Sequence, residues 1–164
     1  MMDTMTPEQR HRCMSRIRSK DTAPEWRVRR MVHAMGFRYR LHVKHLPGCP
    51  DIVLPRHRKI ILVHGCFWHA HGCAAARHTP STRTNFWKKK FARNAARDRA
   101  VLRQLWQAGW RVLVVWECET HDAAQLRAIL ADFLIPAPGG TNPALTDQHA
   151  LYDLVAETPE EYSS

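Results

Sequence analysis

The sequence predicts an α/β fold built on a mixed sheet. Three observations carry this: two short apolar runs joined by a charged turn, a later run that is apolar almost throughout, and helical periodicity on either side of them. Thr6-Pro7-Glu8-Gln9 supplies an N-cap, a proline at the first helical position and a capping-box glutamine, opening a basic helix to about Ser19. Thr22-Ala23-Pro24-Glu25 repeats the device. The helix it opens carries Val28, Met31, Val32 and Met35 on one face and stops at Gly36, a residue that takes the left-handed C-terminal conformation without strain. Phe37 to His42 alternates apolar and polar residues, as a half-buried strand does.

Leu46-Pro47-Gly48-Cys49-Pro50 reads as a turn. Beyond it, Asp51-Ile52-Val53-Leu54 and Ile60-Ile61-Leu62-Val63 flank the basic stretch Arg56 to Lys59 and form a hairpin. Residues 84 to 108 make a long basic helix with Phe91, Leu102 and Leu105 inward and Lys88, Lys89, Lys90, Arg93 and Arg97 outward, ended by Gly109. Arg111 to Trp116 is apolar after its first residue, which suits a buried strand parallel to a neighbour, with Trp110 and Trp116 in the core. Ala123 to Leu134 is the closing helix. At 164 residues and 45% hydrophobic content there is material for one core and not two. The division expected is an N-terminal helix over 1–20, one compact domain over 21–134, and a tail over 135–164 that starts Pro/Gly-rich and ends acidic.

Charge is unevenly placed. Residues 1–120 hold 24 Lys/Arg against 8 Asp/Glu, while residues 121–164 hold 1 against 7. A domain this basic favours a polyanionic partner, since each phosphate it neutralises releases condensed counterions; a basic surface that merely aids solubility is the competing reading. No apolar run reaches the ~20 residues of a membrane span, and Met1 to Arg12 lacks the apolar core of a signal peptide, so a cytoplasmic protein is expected. Five cysteines, an odd number, favour metal ligation and reduced thiols over a disulfide framework, with Cys13 and Cys49 as passengers. No segment reads as an oligomerisation face, and a monomer is expected.

The densest chemical signal is His64-Gly65-Cys66-Phe67-Trp68-His69-Ala70-His71-Gly72-Cys73, with three imidazoles and two thiols in ten residues. Zinc takes four soft or borderline ligands. Cys66, His71 and Cys73 supply three, and Cys118, at the end of the strand closing at Trp116, is the best candidate for the fourth; packed, reduced cysteines with solvent-facing histidines are the alternative. If Cys66 and His71 are ligands, His69 is left free but rigidly held, which general-base work requires; otherwise it is one more ligand or a surface group. Asp51, at the start of its strand, suits a hard cation such as Mg2+, although Pro-Asp pairs also occur by chance. Glu25 either caps its helix or contacts a metal-bound water. Phe67, Trp68 and Trp87, in a basic setting, either wedge between base pairs or pack in the core.

Ser19-Lys20-Asp21-Thr22, Leu46-Pro47-Gly48, Pro50-Asp51, His64 to His69, Thr82 to Trp87 and Val115-Trp116-Glu117-Cys118 closely resemble the very-short-patch-repair DNA mismatch endonucleases, over roughly residues 6 to 134. The resemblance implies a restriction-endonuclease-like core, with a central mixed sheet flanked by helices. It implies Mg2+ on Asp51 and the main-chain carbonyl of Val63, His69 as the catalytic base with His64 and Glu25 in support, and structural Zn2+ on Cys66, His71, Cys73 and Cys118. It further implies that Phe67, Trp68 and Trp87 intercalate beside a mismatch and that Met14 on the N-terminal helix reaches the other groove; the outward Lys88, Lys89, Lys90 and Arg93 are expected to meet the DNA backbone. The implied reaction is a nick 5′ of the thymine in a thymine:guanine mismatch left by 5-methylcytosine deamination, in the bacterial cytoplasm at the nucleoid, with mismatch-repair proteins as possible partners. A restriction-type enzyme acting on unmismatched duplex, a non-catalytic zinc-containing DNA-binding module and a thymine glycosylase are the rival readings.

Overall fold

Among the described residues from Asp21 onward, three helices and four strands follow one another in the order that the periodicity dictates. In the computed structural model, residues 6, 8, 9, 12, 20–69, 71–74 and 83–135 are described; Met14 and Cys13 lie outside them, as does the tail beyond Ile135. At the N-terminus the capping box is present, with Thr6 N–H donating to Gln9 Oε1 at 2.9 Å and Gln9 N–H to Thr6 Oγ1 at 3.2 Å. Helix α1 (Ala23–Ala34) opens with the same reciprocal pair between Thr22 and Glu25 and ends before Gly36, whose φ is 90°.

Strand β1 covers Arg40–Leu41 alone, shorter than the alternation from Phe37 suggests. Phe37 and Tyr39 still pack on the core. The extended run breaks at His42, which turns to φ 46° and places its ring beside Arg29 at 2.9 Å. Strand β2 (Ile52–Leu54) pairs antiparallel with β1 and with β3 (Lys59–His64), and left-handed Arg58 closes the charged turn between β2 and β3. After helix α2 (Thr84–Gln107), strand β4 (Arg111–Trp116) runs parallel to β3, with Lys59 opposite Arg111 and His64 opposite Trp116. The sheet is therefore mixed, in the order β1-β2-β3-β4. Asp122 caps helix α3 (Ala123–Leu134) by accepting from the N–H groups of Ala124 and Gln125.

The two faces of the sheet bury separate cores, as the two-residue period of a strand requires. Ile52, Leu54, Ile61, Leu113 and Val115 face α1 and α3, packing on Val28, Val32, Leu126, Leu130 and Phe133. Val53, Ile60, Leu62, Val112 and Val114 face α2, packing on Leu102 and Leu105. Strands covered on both sides read as unbroken apolar runs for this reason. Trp110 and Trp116 are only partly buried and pack at the edge of the second core.

The Leu46–Pro50 turn is held against α2. Gly48 has φ 73°, and a Cβ added there would stand 2.6 Å from Val101 Cγ1. Gly48→Ala combines left-handed strain with overpacking, for an expected loss of about 2–4 kcal/mol in urea unfolding. Gly36→Ala meets nothing within 4 Å at φ 90° and serves as the comparison, because it carries the backbone strain alone. Equal losses at the two positions would mean that the contact with Val101 is unimportant.

Candidate active site and metal centre

In a parallel pair the loops that leave the C-terminal ends of the strands lie side by side. Strands β3 and β4 end together at His64 and Trp116, so the loop Gly65–Cys73 and the short 3-10 turn Glu117–Thr120 meet there. That meeting brings Cys66, His71, Cys73 and Cys118 together, with their ligand atoms all within 4.8 Å of one another. Cys118 N–H donates to Cys66 Sγ at 3.4 Å, Cys118 Sγ lies 3.6 Å from His71 Nδ1, and the His71 ring stacks on Trp116 at 4.1 Å. Burial pushes the Cys66 and Cys118 thiols up and the His71 imidazole down. Without a cation the cluster resists becoming thiolate, and a soft divalent ion is the partner that its donors fit.

Beside it, Asp51 sits where β2 begins. Its Oδ2 accepts the Val63 N–H at 2.8 Å, which ties the carboxylate to β3. Burial, aided by the nearby charge of Glu25, raises the Asp51 carboxyl to about 6 against the pull of that hydrogen bond and of His42 and Arg29. A carboxylate left costly in this way suits a hard cation.

The histidines are arranged as a pair with distinct roles. His69 Nδ1 is bonded to Asp98 Oδ2 on α2, and the His64 and His69 rings stack nearly parallel at 3.9 Å. Burial, and then the charge of His69, drive His64 down to about 3, so it stays neutral at any working pH. Its Nδ1 is buried with no hydrogen-bond partner among the described residues. Burial works to raise Asp98, but the bond to His69 and the charges of His69, His64 and Arg97 outweigh it and hold the carboxyl below its ordinary range. An ionised Asp98 accepts the Nδ1–H of His69, leaving Nε2 as the basic nitrogen. Asn94, also on α2, donates to the Trp68 carbonyl at 2.8 Å and so steadies the backbone that carries His69.

Glu25 is both the cap and more. Its Oε1 accepts from Thr22, and its Oε2 accepts from the Asp21 N–H and, at 2.5 Å, from Arg29 Nη2. Asp51, Val63, His69 and Glu25 line one cleft of about 870 Å3, together with Trp68, Lys90, Asn94 and Arg97. At its rim Phe67, Trp68, Trp87 and Phe91 form an aromatic cluster, with Lys90 Nζ 4.8 Å from the Trp68 ring and 5.2 Å from the Trp87 ring. Trp87 is 8% exposed and belongs to the packing of this cluster, whereas Phe86 beside it is 54% exposed. Lys88, Lys89 and Arg93 lie exposed on the same helix.

Sequence reasoning missed Asp98, Arg29 and His42. Asp98 is the lone acid in a helix with seven Lys/Arg, a signal that was readable. A caged imidazole and a carboxylate in one cleft, with a Cys/His cluster that could hold a metal and a helix carrying seven Lys/Arg beside them, define a phosphodiester-cleaving enzyme better than a binding module. The chain matches the family model described as DNA mismatch endonuclease Vsr over residues 2–75. It is 47% identical over 137 residues to the type II nicking enzyme V.XorIIP of Xanthomonas oryzae pv. oryzae, covering 84% of this chain and 100% of that one. It is 42% identical over 126 residues to the DNA mismatch endonuclease Vsr of Escherichia coli, covering 77% and 80%, and 41% identical over 127 residues to the nicking enzyme V.NmeAIP of Neisseria meningitidis, covering 77% and 90%. The protein is a DNA endonuclease, a hydrolase of phosphodiester bonds. It belongs to the Vsr family of DNA mismatch endonucleases.

Proposed function

We propose that the protein nicks duplex DNA on the 5′ side of the thymine in a thymine:guanine mismatch, the product of 5-methylcytosine deamination, and so starts very-short-patch repair in the bacterial cytoplasm at the nucleoid. The observation that carries the reading is His69, fixed between Asp98 and the stacked neutral His64, in the same cleft as Asp51. The name of the Escherichia coli relative, a DNA mismatch endonuclease, supports the mismatch as target. The mixed four-stranded sheet flanked by helices is compatible with a restriction-endonuclease-like core.

In this mechanism His69 Nε2 takes a proton from the attacking water while Asp98 holds the ring through Nδ1. His64, unable to take a proton itself, keeps the pocket from acquiring two positive rings. Asp51 and the Val63 carbonyl would hold Mg2+, which supplies positive charge to the phosphate as it gains its fifth oxygen. Phe67, Trp68 and Trp87 would open the mismatched step, which costs less to unstack than a paired one; Met14 would enter from the opposite groove. Lys88, Lys89, Lys90 and Arg93 on α2 would take the DNA backbone. On this reading residues 1–20 would be the DNA-contacting N-terminal helix, 21–134 the nuclease domain of a monomer and 135–164 an acidic C-terminal tail; mismatch-repair proteins are candidate partners.

Cys66, His71, Cys73 and Cys118 would hold a structural Zn2+ that pins the two loops carrying the site. Purified protein is expected to contain about one zinc per chain, and Cys118→Ser or Cys73→Ser to lose it together with several kcal/mol of stability. Cys49→Ser should change neither quantity. Elemental analysis alongside urea unfolding tests this, and a Cys118→Ser protein that keeps its zinc would remove the site.

The reaction itself is tested with a labelled duplex carrying one thymine:guanine mismatch and with its paired twin, each with Mg2+ and with chelator. The expected product is a magnesium-dependent nick 5′ of the thymine in the mismatched duplex alone. Cleavage of both duplexes favours a restriction-type enzyme, an abasic site a glycosylase, and binding without cleavage a zinc-containing DNA-binding module.

A further inference from the structure

Asp21, Glu25 and His42 bring three potential ligand atoms within 4.8 Å of one another, the outline of a cation site. The cation is already there, and it belongs to the chain. Arg29 is 2% exposed, and its guanidinium reaches Asp21 Oδ1 at 2.6 Å, Glu25 Oε2 at 2.5 Å and His42 Nε2 at 2.9 Å. A guanidinium has five donors and no acceptor. At 2.9 Å the His42 Nε2 must therefore accept, so the ring's proton is on Nδ1. That Nδ1 faces Asp51, 4.0 Å from Oδ1, which is the oxygen not bound by Val63.

We propose that Arg29 and His42 are positioning residues for Asp51: Arg29 locks His42 in the Nδ1–H form, and His42 turns that donor on the Asp51 carboxylate from the side opposite Val63. The 4.0 Å gap exceeds a hydrogen bond by about 1 Å, within reach of a side-chain rotation. Groups that hold a ligating carboxylate or imidazole from behind set its orientation, and their loss typically costs about 10–100-fold in metal affinity or activity. The arrangement gives Glu25 a task beyond its cap, because it fixes Arg29 and through it the tautomer of His42. It also explains an arginine sealed inside the domain among two acids and an imidazole. The inference rests on the reading of Asp51 as a metal ligand.

Three substitutions at His42 separate its contact with Arg29 from its approach to Asp51. His42→Gln places an amide near Nε2 and keeps an acceptor for Arg29, but offers nothing at the Nδ1 position. His42→Asn does the reverse, and His42→Leu offers neither. Mn2+ binding to the DNA-free protein is followed by loss of the free-ion paramagnetic signal, and the Mg2+ needed for half-maximal nicking is measured in parallel. The Gln and Leu variants are expected to weaken both by about 10–100-fold, and the Asn variant by clearly less. All four proteins should bind mismatched duplex equally in chelator. Imidazole nitrogen NMR of the metal-free parent should show His42 with Nδ1 protonated and Nε2 bare.

A Gln variant with the parent's metal affinity overturns the proposal. So does equal loss in all three variants accompanied by lost DNA binding, or a His42 found protonated on Nε2, and each of these leaves the proposed function standing. A parent that neither binds Mn2+ nor needs Mg2+ removes the metal reading of Asp51 and the proposal with it, and that failure is recognised because it lies in the parent.

Discussion

His69→Ala is expected to lower the rate of nicking by about 10²–10⁴-fold while leaving affinity for the mismatched duplex, measured in chelator, unchanged. The reason lies in how the ring is held. Its Nδ1 is committed to Asp98, and one of its faces lies against His64, so it contributes a single basic nitrogen to the cleft and little to the core. Asp98→Asn makes the sharper test. An amide can still occupy the space, but it cannot demand the Nδ1–H tautomer as a carboxylate does, so nicking should fall on the order of 10²-fold or more with KM for DNA preserved. Should His69→Ala instead abolish binding or unfold the loop, the histidine is a structural post and the base lies elsewhere. If Asp98→Asn retained full activity, the ring would not depend on that carboxylate for its tautomer.

Much of this site was legible because local spacing and chemistry coincide. Cys66, His71 and Cys73 lie within one loop, and Cys118 follows a strand whose unbroken apolar run already implied a central, parallel position; the parallel register of β3 and β4 then makes their loops neighbours. The helices were legible through their caps, Thr22 with Glu25 and Gly36 at the far end. What stayed hidden depends on contacts distant in sequence. Arg29 adjoins the apolar face of α1, and a cation there reads as solvated; it is buried only because Asp21, Glu25 and His42 meet it. His42 reads as the polar end of a strand until its left-handed turn brings it to that cluster. Asp98 lies 29 residues from His69 on a helix whose charges suggest an outward face, yet it is on the inward side. For Trp87 the sequence left a wedge and a packed ring as alternatives; in the DNA-free protein the ring is 8% exposed within the aromatic cluster, with Phe86 the more exposed neighbour.

Asp51→Asn should abolish nicking and, in chelator, make the protein more stable. Most carboxylates in folded proteins have lowered values and stabilise the fold above them; Asp51 runs the other way, raised by burial from 3.8 to about 6. The folded state therefore holds this proton more tightly than the unfolded chain, and stability falls as pH rises from about 4 to about 6, remaining lower above that. Asparagine carries no charge to desolvate and can still accept the Val63 N–H through its carbonyl oxygen. Urea unfolding in chelator should give parent and variant similar stability near pH 4, with the variant ahead by about 1–3 kcal/mol at pH 8. Adding Mg2+ should narrow or reverse the gap, because a cation that binds only the folded parent stabilises only the parent. A variant no more stable than the parent at pH 8 would mean that the carboxylate bears no burial cost. The burial cost attributed to Asp51 would then have no physical basis.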